Sequence, residues 1–258
     1  MSGIAAMNRF VRCTALIACV LVCNAAAYAA DAYDAAVAHA GRSSDDLKRD
    51  PVDHPAEILR LSGIKPGMQV VDVLAADGYY SELASYLVGP KGHVLLLNNP
   101  PYDKFVKDAW KERIEKQHLA NVEHRTIDMA HMGLADNSLD AALLIKVYHD
   151  LYWVDDKNGW PKIDAGAVLD QLARALKPGA IVVVVDHKAK PGTGNADAGS
   201  LHRIDEAYAR KDFEAHGFEF VRSSDLLRRP DDKRDQISYK PPIVGQTDRF
   251  VYVFRRKR

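Results

Sequence analysis

Beyond position 23 this chain of 258 residues has no cysteine; all three, Cys13, Cys19 and Cys23, lie before that point. If the first residues are removed on export, the remainder can form no disulfide, no thiolate metal site and no cysteine nucleophile. Charge of one sign is also lacking in excess, with 35 basic and 35 acidic residues. Neither a basic surface for nucleic acid nor an acidic disordered tail is indicated. Internal repeats, low-complexity runs and a convincing linker are absent. With 47% hydrophobic residues, the chain can bury a sizeable core.

Long apolar runs are scarce too. One uncharged run, CTALIACVLVC from Cys13 to Cys23, is eleven residues long, well short of the roughly 20 that span a bilayer as a helix. Arg9 and Arg12 precede it and Ala27-Tyr28-Ala29 follows it. Positive, apolar, then small is the pattern of a secretory signal peptide. Residues 1–29 are therefore expected to direct export, with Met7 an alternative start. Leu16-Ile17-Ala18-Cys19 offers a second, lipoprotein-type processing site. The expected mature chain, 30–258, forms one domain, carries a slight acidic excess, has no stable membrane span and resides in the periplasm.

The rest of the chain alternates. Residues 31–40 suggest a loose helix or tail, and 45–60 two helical pieces interrupted by Pro51 and Pro55. Strands are predicted at 69–73, 93–97, 121–127, 139–145, 180–185, 218–221 and 249–254, of which 69–73 and 180–185 are β-rich apolar runs. Between them, amphipathic spacing predicts helices at 79–87, 104–117, 164–176 and 204–216. Lys177-Pro178-Gly179 reads as a turn, and 222–248 as an excursion before the last strand. Alternating strand and helix implies a doubly wound, Rossmann-like α/β domain, with a mostly parallel seven-stranded sheet and helices on both faces. The run Ile181 to Val185 suits a central strand covered on both sides.

The turn after the first strand reads Asp72-Val73-Leu74-Ala75-Ala76-Asp77-Gly78-Tyr79-Tyr80. It resembles the cofactor loop of the class I, S-adenosylmethionine-dependent methyltransferases, in which an acidic residue precedes three glycines at alternate positions. Asp72 and Gly78 match the ends of that pattern. Leu74 and Ala76 replace the first two glycines, a serious and a mild departure, since a leucine disfavours positive φ. The Lys65-Pro66-Gly67 lead-in, Tyr79-Tyr80, Lys177-Pro178-Gly179 and the final strand pair are similar as well. Asn98-Asn99 and His202-Arg203-Ile204-Asp205 resemble an exported group of predicted methyltransferases. The resemblance implies S-adenosylmethionine as cofactor, held by Asp72, Ala76, Gly78, Tyr79, the Asn98–Asn99 pair at the ribose and Asp128–Met129 at the adenine. Asn98 and Asn99 can equally form a turn, and Asp128 a cap.

Ligands of open α/β sheets bind beyond the carboxyl ends of the strands. Three His-Asp neighbourhoods fall there: His149-Asp150, Asp186-His187-Lys188 and His202 to Asp205. A neutral imidazole can accept a proton from a nucleophile and a carboxylate can orient it. His149 or His202 is thus the expected base, Asp150 or Asp205 its orienting partner, and Arg203 a clamp for an anionic group. Neighbours on a strand point to opposite sides, so contact between His149 and Asp150 is not implied. His149, His187 and His202 with Asp150 or Asp205 also offer metal ligands, without supporting local spacing. Tyr152, Trp153 and Trp160 suggest either a substrate lid or a hydrophobic anchor for a long loop.

Methyl transfer to a small or envelope-associated acceptor is the leading expectation. The alternatives are an exported enzyme with His/Asp-based or metal-assisted chemistry, and a non-enzymatic small-ligand binder. The acceptor and the oligomeric state are not encoded in any motif.

Overall fold

A computed structural model describes residues 32–258. The expected export signal, residues 1–29, lies outside the described residues. Residues 32–37 are helical, followed by α1 (Ser44–Asp53) and α2 (Pro55–Ser62). Ser43 caps α1 by accepting a hydrogen bond from the Asp46 amide. Pro51 sits inside α1, and the break falls at His54, whose φ is 47°. Pro55 then opens α2, where no amide hydrogen is needed.

The sheet contains β1 (Gln69–Val73), β2 (His93–Asn98), β3 (Val122–Thr126), β4 (Leu139–Ile145), β5 (Leu176–His187), β6 (Phe218–Ser224) and β7 (Arg249–Arg256). Their spatial order is β3-β2-β1-β4-β5-β7-β6. The first five pair with one another in parallel, while β7 runs antiparallel to both β5 and β6. The expected doubly wound fold and all seven strands are therefore present.

Period-two alternation divides the core. Val71, Val73, Val182 and Val184 face one apolar layer, with Leu169, Leu172 and Phe213. Val70, Val183 and Val185 face the other, with Ile58, Leu59 and Leu83. Each such side chain, fully buried, contributes on the order of 1.5–3 kcal/mol. The layers are closed by α3 (Tyr79–Val88), α6 (Ala165–Ala175) and α8 (Glu206–Ala215).

Two local expectations are corrected. The single helix over 104–117 is two helices, α4 (Pro100–Val106) and α5 (Ala109–Lys116), because Lys107 and Asp108 adopt φ of 52° and 57°. Lys177-Pro178-Gly179 does not separate helix from strand, since β5 already begins at Leu176. The pairing instead jumps from Leu139–Leu176 to Ala141–Ile181, so residues 177–180 bulge from the ladder. Asp164 caps α6 through the Ala167 amide and Asp205 caps α8 through the Ala207 amide. A short helix, α7 (Ala198–Leu201), precedes His202. Among the described residues no helix is long and apolar enough to cross a membrane.

Candidate active site

The loop leaving β1 keeps a left-handed backbone at every position where the family pattern has glycine. The φ values are 52° at Leu74, 55° at Ala76 and 83° at Gly78. A side chain here costs about 1–2 kcal/mol per residue. At Gly78, where φ is 83°, an added methyl group would lie 2.7 Å from Leu96 Cδ1, so a side chain would strain the backbone and push the leucine tip aside. At Leu74 and Ala76 neighbouring bonds hold the turn. Asn98 Oδ1 accepts from the Ala76 amide at 2.9 Å, and Asn98 Nδ2 donates to the Ala76 carbonyl at 2.9 Å. The Ala75 amide donates to the Leu97 carbonyl at 3.0 Å. The Leu74 side chain is buried and joins the core cluster, and the residue also lines the cleft beside the loop.

This explains Asn98. The expectation that it reaches a ribose is not met: it is fully buried and its amide also donates to Asp103 at 2.8 Å. Asn99 caps α4 by accepting from the Tyr102 amide. Asp128 caps its own turn through the Ala130 amide, with its side chain 72% exposed, and Met129 is buried.

A cavity of about 160 Å³ lies against the loop, lined by Arg49, Asp72, Ala76, Asp77, Tyr79 and Lys146 among others. Its charged wall comes partly from far upstream. The Arg49 guanidinium stacks 3.9 Å from the centre of the Tyr79 ring. Asp53 of α1 accepts from Lys146 at 2.7 Å and also pairs with Arg49 and Arg249. Burial alone would raise the Asp53 carboxyl, but these three cations hold it well below the usual carboxylate range. Burial pushes the Lys146 ammonium down to about 8, with Arg49 adding to the effect. Asp72, buried and bonded by Ser81 Oγ at 2.7 Å, is pushed up to about 7, chiefly by burial.

A larger cavity of about 680 Å³ adjoins the first, sharing Tyr102 and Lys146. It is of ordinary size for a ligand site. Its walls include His149, Asp150, Trp153, Trp160, His187, His202 and Tyr239. Beyond β4 the chain turns into a 3₁₀ helix over Tyr148–Tyr152 rather than continuing as strand. His149 and Asp150 therefore do meet, with His149 Nε2 3.2 Å from Asp150 Oδ1. His202 Nδ1 lies 3.2 Å from His149 Nε2 and 3.6 Å from Asp150 Oδ1. His202 holds a φ of 49°, a strained conformation that aims the residue following α7 into the cavity wall.

Outer groups fix this cluster. Asp186 Oδ1 lies 2.8 Å from His149 Nδ1, and Asp186 also accepts from the His149 and His187 amides. Tyr102 donates to Asp150 Oδ2 at 2.6 Å. Burial would lower the His149 imidazole, but the Asp150 and Asp186 carboxylates outweigh it and raise it well above its ordinary value. His187 moves the other way, lowered by burial and by nearby positive charge, and its Nδ1 bonds Thr247 at 2.7 Å.

Two expected site residues lie elsewhere. Arg203 cannot clamp a ligand: it is fully buried, pairs with Asp232 and donates to the carbonyls of Lys188 and Gln236. Asp205 does not orient His202, because its carboxylate binds the Gly192 and Ala207 amides. Asp150 takes that place. His187 and Asp205 also fall outside the group that could share a metal. Sequence reasoning does not single out Arg49, Asp53, Tyr102 or Arg249. Asp186 stands out in sequence only by its place at a strand end, with no role attached.

The residues on the smaller cavity fit the amino-acid end of an S-adenosylmethionine molecule. Arg49 and Lys146 offer cations to a carboxylate, and Asp72 and Asp77 offer oxygens to an amine. Asn98, committed to the loop, offers the ribose nothing.

Residues 73–184 match the family model described as a methyltransferase domain. A ubiquinone/menaquinone biosynthesis C-methyltransferase, UbiE, of Teredinibacter turnerae is 28% identical over 128 residues, which is 50% of this chain and 46% of that protein. This chain thus matches about half the length of such relatives. A SAM-dependent methyltransferase of Aquifex aeolicus superposes with a TM-score of 0.56 at 21% identity, covering 83% of this chain and 99% of that one. An S-adenosylmethionine-dependent methyltransferase of Mesorhizobium loti gives 0.56 at 15% identity, covering 81% and 100%. Strand order, the left-handed loop and these structural likenesses place the chain on the class I methyltransferase fold, and residues 73–184 are similar to a methyltransferase domain.

Proposed function

We propose that this protein is exported to the periplasm and there transfers a methyl group from S-adenosylmethionine to a small or envelope-associated acceptor. The observation that carries the reading is the pair of adjoining cavities at the carboxyl ends of the strands, one on the left-handed loop and one on the histidine cluster. When bound, S-adenosylmethionine supplies an electrophilic methyl group on a sulfonium. Arg49, Lys146 and the loop backbone would hold its amino-acid end.

The larger cavity is the acceptor's place. Trp153, Trp160 and Tyr102 give it apolar walls, and the His149–Asp150–His202 cluster gives it polar groups at one end. An acceptor hydroxyl, amine or acidic carbon must lose a proton as it gains a methyl group. His202, at the cavity wall, takes that proton, and His149, Asp150, Asp186 and Tyr102 keep it in position. The composition of residues 1–29, where all the cysteines lie, supports export.

Incubation of the purified protein with cell-envelope extract and methyl-labelled S-adenosylmethionine tests the reading. A labelled product that disappears with His149→Ala and with His202→Ala is expected. Label transfer unaffected by either change would remove the cluster from the chemistry. No label transfer by the wild-type protein to any extract fraction would count against the function itself.

A further inference from the structure

Three potential ligand atoms converge at the end of the larger cavity: His149 Nε2, His202 Nδ1 and Asp150 Oδ1. Their separations are 3.2, 3.2 and 3.6 Å. A tetrahedral zinc site with bonds of about 2.0–2.1 Å places its ligand atoms about 3.3–3.4 Å apart. The three atoms thus already form one face of such a tetrahedron.

The surrounding hydrogen bonds leave that face rich in lone pairs. Asp186 accepts from the His149 and His187 amides, at 2.8 and 2.7 Å, so its carboxylate is an acceptor. The proton between it and His149 therefore sits on Nδ1, at 2.8 Å. A metal ion displaces the second proton of that imidazolium, and Nε2 then presents its lone pair to the cluster. Tyr102 donates to the far oxygen of Asp150, Oδ2, and Oδ1 lies toward the two imidazoles. Three such atoms at hydrogen-bond distance need a positive centre between them. A shared proton serves two at a time, whereas a metal ion serves all three.

The outer shell has the matching form. Carboxylate to imidazole to metal is the usual arrangement behind a ligating histidine, and Asp186 occupies that place. His149 and Asp150 are buried, His202 lies at the wall, and the fourth direction faces the cavity. Two histidines, one carboxylate and an open position are the donor set of a catalytic site rather than a closed structural one. We infer that His149, Asp150 and His202 bind one divalent transition-metal ion of the zinc type, with its open position directed at the molecule in the larger cavity. Metal binding stands independently of the methyl donor. Its use, to hold an acceptor oxygen and promote its deprotonation, rests on the proposed function.

The test uses the full chain, stripped with chelator and titrated with Co²⁺ and then Zn²⁺. Cysteines before position 24 can bind metal as well, so the readout is the difference between variants. Wild type is expected to take up one equivalent more than His202→Ala, with a visible Co²⁺ spectrum that Zn²⁺ bleaches. Asp150→Asn should lose the same equivalent, and Asp186→Asn should weaken it about 10- to 100-fold. Circular dichroism reports whether each variant is folded. Equal uptake by wild type and folded His202→Ala, or no uptake by wild type, overturns the inference. S-adenosylmethionine titrated into the stripped protein separates the two claims. Donor binding without the extra metal equivalent refutes only the metal, and the metal equivalent without donor binding refutes only the methyl-transfer reading.

Discussion

Replacing Asn98 by aspartate would place a carboxylate against the left-handed loop, and the structure predicts that the protein is harmed by it. The Asn98 amide nitrogen donates to the Ala76 carbonyl at 2.9 Å and to Asp103 at 2.8 Å, in a fully buried position. A carboxylate cannot donate either bond. The stranded Ala76 carbonyl costs about 1–3 kcal/mol. Two carboxylates about 3–4 Å apart repel by a further ~4 kcal/mol at the effective dielectric of a protein, limited by uptake of a proton. Asn98→Asp should therefore lose about 3–5 kcal/mol in urea unfolding at pH 7.5. At pH 5 a shared proton restores one donor and removes the repulsion, so the loss should fall by more than half. A loss below about 1 kcal/mol at pH 7.5, or one that does not change with pH, would refute the role assigned to Asn98.

Asp72→Asn should act in the opposite direction. Its carboxyl is pushed up to about 7, mainly by burial, so the folded protein binds the proton more tightly than the unfolded chain between about pH 4 and 7. Stability from this group is full below that window and lost above it. The asparagine variant should gain a few kcal/mol over wild type at pH 8, about 1.4 kcal/mol for each pH unit by which the carboxyl is raised, and nothing near pH 4. A pH-independent difference in thermal unfolding would contradict this. Asp53→Ala removes the carboxylate shared by Arg49, Lys146 and Arg249. It should cost about 3–5 kcal/mol by leaving buried cations unpaired, as chemical denaturation would report. Export and cleavage as proposed predict that the protein recovered from the periplasm, sequenced from its amino terminus, begins near Ala30 and titrates no thiol; a terminus upstream of Cys13 would refute cleavage.

The sheet is readable in the sequence because its central strands, such as Gln69–Val73 and Leu139–Ile145, are apolar runs whose ends coincide with turns. The histidine edge is readable because strand ends collect ligands in any fold of this kind. What stays hidden depends on distance along the chain. Arg249 meets Asp53 across 196 positions, and no local pattern announces such a pair. The contact of His149 with Asp150 needs the 3₁₀ turn after β4, which strand alternation alone argues against. Arg203 looks like a surface clamp in sequence, yet Asp232 and two carbonyls hold it inside. Leu74 shows the limit of motif reading most plainly. A missing glycine suggests a lost loop, but Asn98 and the Leu97 carbonyl keep the backbone left-handed without it.

The central claim is that this loop still binds the methyl donor. Calorimetric titration of S-adenosylmethionine into the purified protein tests it most directly. Saturable binding at one site, weakened at least tenfold by Arg49→Ala, is the predicted result. No heat and no thermal shift at millimolar concentrations would contradict it.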